Sequence, residues 1–194
     1  MKKSILMLSV LGIAAIAFNG CKKGEKDPFI TLKSRDGRLS QTWKLSSIEG
    51  SEVRTTVSGT NTSVQTTTTT YNGSAYTETT VTTTGTASNT STTTGTGTYE
   101  MTIDKHGKVT VVEVSTSGST TVTTTNEGKW YWLSSNKNRD HLYVDGGGLG
   151  SIFPGGDLYI ERLAGKELVL HTVNKSSDST GDNYSSDTKY TFSK

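Results

Sequence analysis

Between Thr55 and Thr125, 30 of 71 residues are threonine, and Thr66 to Thr70 is an unbroken run. Threonine is branched at Cβ, which stiffens χ1 and suits a pleated strand better than a helix. A tract of this length commits much of the chain to β-structure or to none. Hydroxyls on both faces leave no apolar side to fix strand register. Two readings stay open. The tract forms long, wet hairpins, or it is a partly disordered low-complexity segment centred on Ala87 to Gly97. Asn72-Gly73 is a hairpin turn signal, and Tyr71, Tyr76, Val81 and Tyr99 are scattered around it.

The flanks carry a clearer β pattern. Trp43 and Leu45 alternate with polar neighbours, as do Met101 and Ile103. Val109, Val111, Val112 and Val114 imply a bulge or a change of face. Lys129 to Leu133, His141 to Asp145, Leu158 to Ile160, Glu167 to His171 and Lys189 to Phe192 complete a series of short strands. Turn residues punctuate them at Lys105-His106-Gly107, Glu127-Gly128 and Ala164-Gly165. Phe29 to Leu39 is expected to hold one short helix. The series predicts an all-β, antiparallel sandwich or barrel in one domain. Hydrophobic residues make up only 30% of the chain, so the core must be thin. A ligand held by the tract would be polar, or the tract would project from a smaller apolar core made by residues 99–133 and 139–192.

No catalytic constellation stands out, and no enzyme activity is expected. His106, His141 and His171 are far apart in sequence, without metal-ligand spacing. Asp140, Asp145 and Asp157 would join His141 only if loops converged, and surface positions are the better reading. No metal and no cofactor are expected. Gly146 to Gly150 lacks the Lys-Ser/Thr ending of a phosphate loop and reads as a flexible loop. The best binding candidates are aromatic. Trp130 and Trp132 share one strand face, while Tyr131 takes the other with Tyr143 and Tyr159 near it. These rings either stack on sugars or, with Trp43, build the core.

The N-terminus addresses the chain. Lys2 and Lys3 precede an uncharged run from Ile5 to Phe18, about 14 residues, too short for the roughly 20 of a spanning helix. Asn19, Gly20 and the only cysteine, Cys21, follow. This resembles a bacterial lipoprotein signal peptide, although Phe18 and Asn19 depart from the usual box. The resemblance implies cleavage between Gly20 and Cys21 and a diacylglyceryl group on the Cys21 thiol. Residues 1–20 are then the signal peptide and 21–28 a lipidated tether. Lys22, rather than Asp, implies the outer membrane, on its periplasmic face or at the cell surface. Lys22 to Asp27 reads as a solvated tether and faintly resembles an acidic surface-export tag. Without Lys2 and Lys3 the chain holds 18 basic and 18 acidic residues, which disfavours a nucleic-acid partner.

Arg38 to Leu45, Asp104 to Lys108, Gly128 to Trp132, and Ile160 to Leu163 with Lys166 to Leu170 appear in an order that resembles lipocalin-like lipoproteins of Gram-negative bacteria. Gln41 departs from it, standing where the Gly-X-Trp pattern places glycine. The resemblance implies an up-and-down β-barrel over residues 29–194, with Thr-rich long hairpins at 55–98 and a mouth for a small molecule or glycan. The other expectation is an adhesin or structural interaction protein using its Thr-rich hairpins. Asp178-Ser179-Thr180 resembles a bacterial O-glycosylation sequon with Ser179 as acceptor, or is simply a polar hairpin loop. Cys21→Ser removes the one acylation site, so the variant should leave the detergent phase when labelled cells are fractionated. Retention there would rule out lipidation at this residue.

Overall fold

The computed structural model describes Asp27 and residues 34–133, 139–145 and 155–194. Gly20, Cys21 and Gly146 to Gly150 lie outside the described residues, as do Phe29 and most of the segment expected to be helical before Ser34. Among the described residues one helix, α1 (Arg35–Leu39), precedes ten strands. They are β1 (Thr42–Ser58), β2 (Asn61–Tyr71), β3 (Ala75–Thr84), β4 (Ala87–Ile103), β5 (Lys108–Ser117), β6 (Thr120–Trp132), β7 (His141–Asp145), β8 (Gly156–Leu163), β9 (Glu167–Ser177) and β10 (Asn183–Ser193). Each strand pairs antiparallel with its sequence neighbour, and β1 pairs with β10, so the sheet closes in a ring. The Thr-rich tract is strand throughout Ala87–Ile103, which answers the alternative of disorder there.

The ring has two tiers. At its base Thr42, Trp43 and Lys44 of β1 pair directly with Thr102, Met101 and Glu100 of β4. Higher up, β1 leaves β4 and pairs with β2 from Ile48 to Ser58. The β2–β3 hairpin is thus wedged between β1 and β4. Its turn sits at the fork, where the Gly97 amide donates to the Ser74 carbonyl at 2.9 Å. Asn72 Oδ1 accepts from the Ala75 amide at 2.9 Å, and Gly73 takes φ 92°, a left-handed conformation that glycine adopts freely. The lower tier therefore has eight strands, and β2 and β3 join only above the fork.

Nearly all the core lies in the lower tier. Trp43, Leu142, Leu158, Ile160, Leu163, Leu168 and Leu170 are fully buried there, with Met101, Ile103, Val109, Val111 and Phe192. From residues 55–98 only Tyr71 joins this cluster. Two bulges keep side chains aimed inward. Register slips between Leu45 and Ser47 against β10, so Leu45 and Ile48 both face the core despite an odd spacing. A second slip between Ile160 and Arg162 does the same for Ile160 and Leu163. In β5, Val109 and Val111 point in while Val112 and Val114 point out. Its pairing to β4 and β6 runs without a slip, so the four valines mark the two faces of a regular strand.

Helix α1 closes the base. Its Ser34 cap accepts from the Gly37 amide at 3.1 Å, and Leu39 is fully buried. The Trp43 indole N–H donates to the Leu39 carbonyl at 2.9 Å, and the Trp132 indole donates to Asp36 at 2.7 Å. Gln41, despite replacing glycine, leaves Trp43 fully buried. Asp27, expected within the tether, is locked to this base. Its carboxylate is buried, lies 3.4 Å from Arg35 and 3.3 Å from Arg38, and accepts from the Leu163 amide at 2.7 Å. Arg38 also donates to the Leu163 carbonyl at 2.5 Å.

This division of apolar contacts sets local stability, because segments with few buried contacts open first. Amides of residues 55–98 should exchange with deuterium faster than those of 158–170. Equal, slow exchange in both would show that the upper tier holds itself together.

Candidate functional site

The inner face changes character above the core. Above Met101 and Tyr190 the inward alternation of β4 and β10 leads to Tyr99 and Tyr184, and Tyr76 faces Tyr71 across the β2–β3 hairpin. Tyr71 and Tyr99 meet edge to face at 5.6 Å, and the Tyr71 hydroxyl donates to the Gly97 carbonyl at 2.9 Å. Three hydroxyls find carboxylates. Tyr76 donates to Glu78 at 2.7 Å, Tyr99 to Glu113 at 3.2 Å, and Tyr184 to Glu52 at 3.3 Å. Arg54 lies over the Tyr184 ring at 5.7 Å and 3.8 Å from Glu52. Threonines fill the remaining wall and bond across strands, as Thr67 does with Thr80 at 3.1 Å.

The space follows the same division. Within the core, beside Met101 and Phe192, lies a gap of about 10 Å³. A cleft of about 390 Å³ lies higher, bounded by Tyr76, Gly95, Tyr99, Glu113, Thr120 and Val122. That volume is within the range of small-molecule sites. Two shallower hollows of about 490 and 590 Å³ share Thr55, Asn183 and Tyr184 near the rim. Tyr76 is pushed up to about 12, first by burial and then by its bond to Glu78. Burial also raises Tyr71. These phenols therefore remain hydrogen-bond donors at any ordinary pH.

The aromatics singled out from the sequence divide between the two faces, as their alternation predicts. Trp130 is buried, and its indole donates to the Asp104 carbonyl at 2.7 Å. Trp132 packs edge to face on it at 5.7 Å. Tyr131 is exposed on the outer face, stacked on Tyr143 at 5.0 Å. Tyr159 stands beside His141 at 5.4 Å. His141 pairs with Asp157 at 3.1 Å, and His171 with Asp187 at 2.8 Å, both on that outer surface. Among the described residues no three His, Cys, Asp or Glu side chains converge as a metal set. Ser179 is exposed in the β9–β10 turn, where Asp178 Oδ1 accepts from the Thr180 amide at 2.9 Å and the Asp182 amide at 3.0 Å.

Sequence reasoning passed over the inner-face tyrosines and their carboxylates. One signal was available. Tyr99 shares strand parity with Met101 and Ile103, and Tyr71 and Tyr76 flank the Asn72-Gly73 turn as a cross-strand pair. No family model, curated protein or solved structure matches this chain.

The raised tyrosines predict an alkaline dependence. Tyr76 and Tyr190 both sit near 12 in the fold, against 10.0 when unperturbed, Tyr190 mainly through burial. Their contribution to stability is complete below pH 10 and falls as pH rises toward 12. Tyr76→Phe should therefore lose less stability than wild type between these limits in urea unfolding. Identical pH profiles would mean that Tyr76 titrates normally.

Proposed function

We propose that the chain is an outer-membrane lipoprotein, cleaved after Gly20 and acylated on Cys21, whose lipocalin-like β-barrel holds a small polar molecule or glycan without transforming it. The supporting observation is the change in the inner face, from a filled apolar base to an open wall of tyrosine, glutamate and threonine. A packed base leaves no room for an acyl chain threading the whole ring. Polar groups around a cleft fix the orientation of a hydrogen-bonding ligand instead.

The anchor reading fits the placement of Asp27. That residue is pinned beside Arg38 and Leu163 at the base. Cys21 is six positions earlier in the sequence. Six residues of extended chain span at most roughly 20 Å. The base then faces the membrane, and the cleft opens away from it. A barrel lipidated in this way would carry more than one acyl chain, and one alone anchors only marginally.

The exposed threonines give a second reading some support. Thr68, Thr79 and Thr92 fall in one cross-strand row on the outer face, a regular polar surface suited to another chain. Lipoprotein extracted from its native envelope separates the two. Native mass spectrometry should show a polar, non-covalent adduct of small-molecule mass. A protein partner in stoichiometric amount, with no such adduct, would favour the interaction protein. An apolar acyl adduct would overturn the polar-ligand reading.

A further inference from the structure

Two glycines occupy successive inward positions of β4, Gly95 and Gly97, in a tract where nearly every other residue is threonine or serine. Glycine weakens a strand interior, and in such a place it marks a bulge or a close approach by backbone or ligand. Gly97 has a backbone reason. A Cβ there would stand 2.6 Å from the Val114 carbonyl oxygen. Gly95 has none. A Cβ built on it meets nothing within 4 Å, and it pairs regularly with Tyr76 without any bulge. Threonine would fit at Gly95 and favour the strand. What its absence leaves is open floor between the Tyr76 and Tyr99 rings.

We propose that this cleft is a carbohydrate site, taking a sugar ring without acidic groups over Gly95. The inference rests on the polar-ligand reading above and names its ligand class. Tyrosine offers an apolar ring and a polar tip, the combination needed to stack on the C–H face of a sugar while bonding its hydroxyls. Glu113 provides acceptors and Thr120 a hydroxyl along the side formed by β5 and β6. No lysine or arginine lines the cleft among the described residues, so phosphates and uronic acids would meet carboxylate without compensation. An acyl chain would take the Glu113 carboxylate and the threonine hydroxyls out of water and offer no hydrogen bonds in return.

The test uses the soluble domain's amide spectrum with cellobiose, maltose and N,N′-diacetylchitobiose as neutral probes and digalacturonate as the acidic one. At least one neutral disaccharide should shift the amides of Tyr76, Gly95 and Tyr99, and digalacturonate should not. Gly95→Val fills the floor, and Val122→Trp blocks the opposite wall from an exposed position. Each should weaken binding about tenfold or more, equivalent to about 1.4 kcal/mol, with an unchanged melting temperature. The second variant carries the test if the first fails to fold. Failure of all three neutral sugars overturns the carbohydrate assignment. Sugar binding that survives both variants overturns the cleft while leaving the polar-ligand reading intact. Uptake of an acyl dye in place of sugars would overturn that reading as well.

Discussion

The short ladder between Thr42–Lys44 and Glu100–Thr102 joins two segments more than fifty residues apart and closes the base before the Thr-rich strands are counted. Trp43 stands in the middle of it, fully buried, opposite Met101 and hydrogen-bonded to the Leu39 carbonyl. A large aromatic dominates burial in a chain this poor in hydrophobic residues. The helix that closes the base beside the indole brings Arg38 to Leu163 and Asp27, so the same corner also fixes the closing hairpin and the N-terminal segment. Arg35 is held there below its usual value by burial, which its neighbour Asp27 opposes. Removing one partner from such a buried group leaves charge without compensation.

The upper tier is built on that base. Its strands have no apolar face to fix their register, yet β2, β3 and β4 pair without a slip. The tyrosines at their lower ends supply what the threonines lack. Tyr71 and Tyr76 face each other next to the turn, and Tyr99 meets Tyr71 from β4. Register set at one end propagates upward, because each residue of slip would move these rings to the outer face. Hydroxyl pairs such as Thr84 with Ser63 then satisfy side chains that would otherwise depend on water.

The antiparallel series was legible from alternation and from the turns at Asn72-Gly73, Lys105-His106-Gly107 and Ala164-Gly165, and the short helix at its Leu39 end, but Glu127-Gly128, expected to be a turn, lies inside β6. The Thr-rich tract was ambiguous, because composition fixes a preference for strands but not their partners. The fork at Gly97 and the bulge beside Ser46 were hidden, since both depend on which strand meets β1 after Leu45. The two faces of the aromatic strand were legible from its alternation. Trp130 and Tyr131 are adjacent in sequence but belong to opposite faces, one in the core and one outside. Tyr76 and Tyr99, 23 positions apart, share a cleft only because the wedged hairpin brings β3 against β4.

Denaturant unfolding of Trp43→Ala, followed both by total sheet signal and by amide protection in β2–β4, tests whether the base supports the upper tier. The expected loss is about 3–5 kcal/mol for a buried tryptophan, with the Thr-rich strands losing protection together with β8 and β9. An unchanged midpoint, or Thr-rich strands that stay protected while the base unfolds, would contradict this account.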